Sequence, residues 1–402
     1  MVCTIPTVTR TIFTGGRLID PAAGVDDRRD LVTEEGRIAA VAPTGSVIPT
    51  PDDRVVDVTG LMVTPGLIDL HGHWSDTSPY GIDPVVNLAG GVTTGVDAGT
   101  TGFSNFAAFR RHTIEAAPVR VLAFLHVAAA GLVTTLVGEL HDIRLARPRE
   151  TAAVIADHRD VIVGVKVRLG TEPCGANIKA ALDAALEAAA LAGVPLMAHV
   201  SDGADVRTTL ERMRPGDILT HAFTASGTGI RGRDGRIMPA AHRATQRGVR
   251  FDIGHGCGSF SWEAADQALA EGIVPDAIST DLHRYSIERP VVDLPTTMSR
   301  FLALGLSLPE VVKATTIAPA TIVGRPDLGS LRVGGPADVT VLRVIDEPRD
   351  LPDSQGVRRT VGRRLEAVWT MTGGVLHAAG ETPIELRPLN DADREVDCSI
   401  PI

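Results

Sequence analysis

Lysine is nearly absent from this chain: of 39 basic residues only Lys166, Lys179 and Lys313 are lysine, and the rest are arginine. Cysteine is scarce as well. Cys3, Cys174, Cys257 and Cys398 stand apart with no paired spacing, which excludes a disulfide framework or a zinc ribbon and suits a reducing compartment. No apolar run approaches the ~20 residues needed to span a bilayer. The first segment, MVCTIPTVTRTIF, lacks the long apolar stretch and small-residue cleavage site of a signal peptide. The expectation is a soluble, cytoplasmic protein with no membrane partner. A basic stripe is missing too, and a net charge of -10 argues against nucleic acid. An anionic small molecule is still allowed, because a local arginine or metal can reverse the field inside a cleft. What remains is an ordinary globular balance of 44% apolar and 22% charged residues over 402 positions, enough for one large domain and a smaller one.

The texture of the chain changes twice. Over residues 1–65, TIFTGGRLID, DLVTEEGRIAAVAP and RVVDVTGLMVTPG read as short strands broken by Gly, Pro and Asp turns. From about residue 66, short apolar runs alternate with alanine-rich helical stretches, the pattern of βα units on a parallel sheet. Eight candidate strands follow: LIDLHGH, GVTTGVDAG, RVLAFLHVA, DVIVGVKVRLG, GVPLMAHV, GDILTHAF, GVRFDIGHG and DAISTDLH. With helices such as NIKAALDAALEAAALAG between them, residues 66–324 match the size of a (β/α)8 TIM barrel, closed by the helical stretch LPEVVKATTIAPATIVG. Residues 325–402 return to strand texture in SLRVGGPADVTVLRV and LEAVWTMTGGVLH. The two ends are therefore expected to pair into a small β-domain beside the barrel, a fold of the α/β class.

Active sites of such barrels lie at the C-terminal ends of the strands. Strand one ends in His71-Gly72-His73, whose alternation sends both imidazoles to one face, close enough to share a divalent ion. Strand four sets Lys166 and Arg168 on one face and Val163, Val165 and Val167 on the other. An ammonium among valines costs free energy unless it reaches water or is neutralised. Arginine snorkels equally well and is this chain's habitual cation. What arginine cannot do is lose its proton near neutral pH. A desolvated lysine can, and its free amine can capture carbon dioxide as a carbamate, a carboxylate on a long arm able to bridge two metal ions. Strands five and six end in His199 and His221, and strand eight in Asp281, a carboxylate suited to the role of general base and then acid. Each residue alone is more often structural; together, at equivalent strand ends, they point to a metal site.

PGLIDLHGH, the strand-four lysine, the isolated His199 and His221 and the strand-eight aspartate resemble the binuclear metal-dependent amidohydrolase superfamily. RFDIGHGCGSFSWEAADQALAEGIVPDAISTDLH, PVVDLPTTMSRFL and EVVKATTIAPATIVG are similar to its amidohydrolase/deacetylase branch, close to dihydroorotases, and LRVGGPADVTVL looks like the composite β-sandwich of these proteins. The resemblance covers nearly the whole chain. It implies two divalent ions, Zn²⁺ by family habit. His71, His73 and Asp281 would hold the more buried ion, His199 and His221 the more exposed one, and N6-carboxylated Lys166 both. It also implies attack by a metal-bridged hydroxide, with Asp281 passing the proton to the leaving group.

His255 ends strand seven and is either a substrate contact or a structural histidine of the glycine-rich loop. Arg168 either grips a substrate carboxylate or forms an ion pair at the barrel mouth. The expected activity is hydrolysis of a small N-acyl amide or O-acyl ester, deacetylase-type, with a small acylated molecule as partner and association into homo-oligomers as in relatives. The alternative is a cyclic amidase that opens a dihydroorotate- or hydantoin-like ring. A nucleobase deaminase fits less well, because the glutamate expected after the strand-five histidine is missing from HVSDG. A non-catalytic scaffold fits poorly with six ligand candidates retained.

Overall fold

In the computed structural model of the chain, the described residues are 10–75, 78–132, 137–225, 227–232 and 234–381. Cys3, Cys398 and the outermost parts of the two terminal segments lie outside them. Seven strands form one parallel sheet in sequence order: Leu67–Gly72, Val92–Gly102, Arg120–His126, Ile162–Leu169, Leu196–Val200, Ile218–Leu219 and Arg250–Phe251. The eighth expected strand is reduced to two bridges, Ala277 beside Asp252 and Leu282 beside Gly72. It nevertheless closes the ring. The Asp281 amide donates to the His71 carbonyl at 2.7 Å, and the His73 amide to the Leu282 carbonyl at 2.9 Å.

The ladder breaks there for a physical reason. Asp281 adopts φ 50°, left-handed backbone in which a strand cannot continue. His221, two residues past the short sixth strand, does the same at φ 57°. Such conformations cost a non-glycine residue on the order of 1 kcal/mol, and both turn a side chain into the barrel mouth.

Two apolar layers hold this frame. Ile68, Val96, Leu122, Phe124, Val163, Met197 and Ile218, drawn from six strands, form a buried cluster that fills the barrel interior. A larger cluster lies between the strands and the surrounding helices. The helix Ile178–Ala192 contributes Ala181, Leu182, Ala185 and Ala189 to it and ends on Gly193 at φ 66°. The closing helical stretch is two helices, Leu308–Ala314 and Ile317–Ile322.

The second sheet has nine strands and draws on both ends of the chain. Met62–Pro65 pairs antiparallel with Val339–Ile345 and parallel with Arg17–Asp20, so the ends meet at the centre of the sheet. Arg349–Pro352 and Arg358–Val361 form a separate hairpin. It packs on the barrel instead, where Leu351 and Val361 join the outer core and the Asp353 carboxyl accepts from the Trp262 amide. Among the described residues, no helix is long and apolar enough to cross a membrane.

Candidate metal centre

His71, His73, Lys166, His199, His221 and Asp281, six residues singled out from sequence, line one cavity at the C-terminal ends of the strands. Arg168, Tyr80, His126, Leu132 and His283 line it with them. Asp281 Oδ1 lies 3.3 Å from Nε2 of both His71 and His73. One ligand atom from each of these three residues falls within 4.8 Å of the others, a spacing that can hold a metal ion. The rings of His199 and His221 stand 4.3 Å apart, and that of His221 5.0 Å from His71.

Hydrogen bonds behind the rings decide which nitrogen faces the cavity. Thr220 donates its hydroxyl to Asp252 at 2.7 Å, so its oxygen accepts from His71 Nδ1 at 2.8 Å. Thr100 donates to Asp97 at 2.7 Å and accepts from His73 Nδ1 at 2.7 Å. His221 Nδ1 donates to the Gly254 carbonyl at 2.7 Å. In all three the proton sits on Nδ1 and the Nε2 lone pair points inward, the arrangement that buttresses a metal-ligating histidine.

Burial then keeps the ligand forms available. It is the largest influence on His221, pushed down to about 3, and on His199, held well below the usual imidazole range with further lowering from His221 and Arg168. Both rings are therefore neutral at physiological pH, as ligands must be. Burial alone would raise Asp281. The imidazoles of His71 and His73, whose Nε2 atoms lie against its Oδ1, outweigh it and leave the carboxyl well below its ordinary value.

Lys166 is buried, and its Nζ meets His71 Nε2 at 3.4 Å and Met197 Sδ at 3.7 Å. Among the described residues no carboxylate lies within ion-pair distance of it. Burial pushes the amine down to about 8, so an appreciable fraction is uncharged near neutrality. Room for its stem comes from Gly99, at φ 85°, where a Cβ would stand 2.4 Å from Lys166 Cβ. Gly256 does the same for Asp281, whose Oδ2 would lie 2.5 Å from an added Cβ. A buried amine without an ion-pair partner among the described residues, inward lone pairs and an ionised carboxyl form a donor set that fits divalent cations.

The two substrate-contact candidates sit differently. Arg168 is buried and bonded to Glu139 at 2.5 Å and Glu172 at 2.8 Å. It lines the cavity with two of its five donors paired to these carboxylates, which supports the ion-pair alternative. Replacing it with Met leaves Glu139 buried and unpaired, so Arg168→Met is expected to lose about 3 kcal/mol of stability. A thermal melt checks this; an unchanged melt together with a raised KM would return Arg168 to substrate binding. His255 shares its parity with Phe251 and Ile253, which face the outer core, and it stacks on Phe260 at 4.8 Å. It is not among the residues lining the cavity.

Sequence reasoning passed over Asp97, Thr100, Thr220, Asp252, His126 and His283. The signal used for Lys166 would have found the two aspartates, since each is a charged residue inside an apolar strand. His126 ends strand three as His199 ends strand five.

The profile described as "Amidohydrolase family" matches residues 62–226 and 253–367. A protein named deacetylase from Agrobacterium fabrum is 37% identical over 355 residues, 87% of this chain and 86% of that protein. A solved structure described as a dihydroorotase superposes with TM-score 0.86 at 34% identity, covering 92% of this chain and 99% of that one. Another, described as an adenine deaminase, gives TM-score 0.85 at 29% identity over 92% and 99%.

Proposed function

We propose a function from one established premise: the chain belongs to the amidohydrolase family. The reading is a metal-dependent, deacetylase-type hydrolase that removes a small acyl group from an N-acyl amide or an O-acyl ester. The observation that carries it is the convergence of His71, His73, His199, His221, Lys166 and Asp281 on a single cavity. The 37% identical protein named deacetylase supports the choice of reaction.

In this reading His71, His73 and Asp281 hold one divalent ion and His199 and His221 a second, with zinc as the proposed metal. Lys166, as its free amine, would add carbon dioxide at Nζ with release of one proton, giving a carboxylate that would supply a further metal ligand. When bound, the ions lower the pKa of water and polarise a carbonyl. The protein supplies the rest. Asp281 accepts a proton at the carboxyl and returns it to the leaving nitrogen or oxygen. The Asp252–Thr220 and Asp97–Thr100 pairs hold the His71 and His73 rings in one tautomer and one orientation.

A second reading, opening of a cyclic amide, is kept by the 34% identical structure described as a dihydroorotase. Metal-loaded protein should be assayed against acyl esters, acyl amides, cyclic ureides and adenine. Acyl substrates are expected to be turned over at least about a hundredfold faster than the ring compounds, the margin that mismatched polar contacts typically impose. Faster ring opening would establish the second reading, and protein that neither binds metal nor turns over any of them would end both.

A further inference from the structure

His126 differs from the histidines around it in which nitrogen carries the proton. It ends the third barrel strand, level in register with Lys166, and is buried at 1% exposure in the wall of the cavity. The amide of Ala128 donates to its Nδ1 at 3.0 Å. An atom that accepts cannot also carry the hydrogen, so the hydrogen sits on Nε2. His71, His73 and His221 are the reverse, with Nδ1 donating and Nε2 bare. Geometry thus makes His126 a donor where its neighbours are ligands.

Among the described residues that donor has no partner. Nε2 of His126 is buried and makes no hydrogen bond. A buried N–H left unmade costs about 1–3 kcal/mol, a cost that a bound molecule with an acceptor oxygen would remove. His283 has the same tautomer, since Tyr285 N donates to its Nδ1 at 3.2 Å, but its Nε2 already lies 3.6 Å from Cys257 Sγ. Of the two, His126 is the one whose N–H is without a partner.

We propose that His126 is a further catalytic residue, whose Nε2–H donates to the acyl oxygen of the substrate and holds the charge that develops there as the carbonyl is attacked. The inference rests on the acyl-hydrolase reading above. A donor fixed before the reaction needs no reorganisation when charge forms, which is why a single such group is commonly worth a hundredfold or more in rate.

The test uses metal-loaded protein and three forms: wild type, His126→Phe, which keeps a ring and removes the donor, and His126→Gln, whose amide N–H reaches close to the original Nε2. His126→Phe is expected to lose about a hundredfold in kcat with KM changed less than about threefold. Its metal content by elemental analysis should equal that of wild type, and His126→Gln should recover part of the lost rate. Binding of phenyl methylphosphonate, a tetrahedral mimic of an acyl ester under attack, should weaken in His126→Phe in parallel with kcat. The proposal is overturned if His126→Phe keeps kcat within about twofold of wild type. It is also overturned if the variant loses metal along with rate, which would assign His126 to holding the metal site, or if His126→Gln is no better than His126→Phe. Circular dichroism on all three confirms a folded comparison. A wild-type protein that loads metal yet hydrolyses no acyl substrate would sink the functional reading, a result distinct from any of these.

Discussion

Asp281→Asn is expected to reduce turnover by a factor of about a thousand or more while leaving the fold intact. The amide is nearly the same size, so the cradle at Gly256 and the backbone bond from Asp281 N to His71 still form. What disappears is an anionic oxygen 3.3 Å from two imidazole nitrogens and the ability to take up a proton there. The carboxyl is held ionised by those same imidazoles against its burial, so the wild type carries the base form across the neutral range. The measurement is kcat and kcat/KM at matched metal loading, with a thermal melt alongside. Activity within about tenfold of wild type would remove Asp281 from proton transfer.

Replacing Lys166 with Ala should have a comparable effect by another route. Loss of an outer partner of a metal ligand typically costs 10–100-fold in affinity or activity; loss of a bridging group should exceed that. Bound metal is expected to fall below wild type, and activity with it. Short-chain carboxylic acids added to the variant should restore part of both by occupying the space vacated between Gly99 and His71. Intact-mass analysis of the wild type under carbon dioxide, compared with the variant, reads the modification directly. Unchanged metal content in Lys166→Ala would defeat the bridging role.

These two residues also show how far the sequence could be read. Lys166 stood out because lysine is rare here and because a cation inside a valine strand needs a reason. Asp281 stood out only as the last carboxylate of the last strand. Neither reading required knowledge of a distance. Alternation within a strand sends residues of one parity to one face, and parallel strands of a barrel end at one rim, so reactive residues at strand ends must converge. His255 shows where that logic needs care. Its parity with Phe251 and Ile253 pointed outward all along, and the inward residue of that strand is Asp252, which bonds Thr220 and Ser279. Parity alone did not say which face of that strand turns inward.

Composition, alternation and strand-end chemistry therefore determined the class of fold, the pairing of the chain ends and six of the residues that meet at the barrel mouth. Those are properties of short segments, fixed by where side chains of one period must point. The tertiary structure decided which nitrogen of each histidine faces inward, that Arg168 is engaged by two glutamates, and that the eighth strand survives only as two bridges around a left-handed Asp281. The contacts of His71 with Thr220, of Arg168 with Glu139 and of Asp281 with His71 join segments tens to hundreds of residues apart, and no local pattern encodes such a contact; only the Arg168–Glu172 pair, four residues apart, is local.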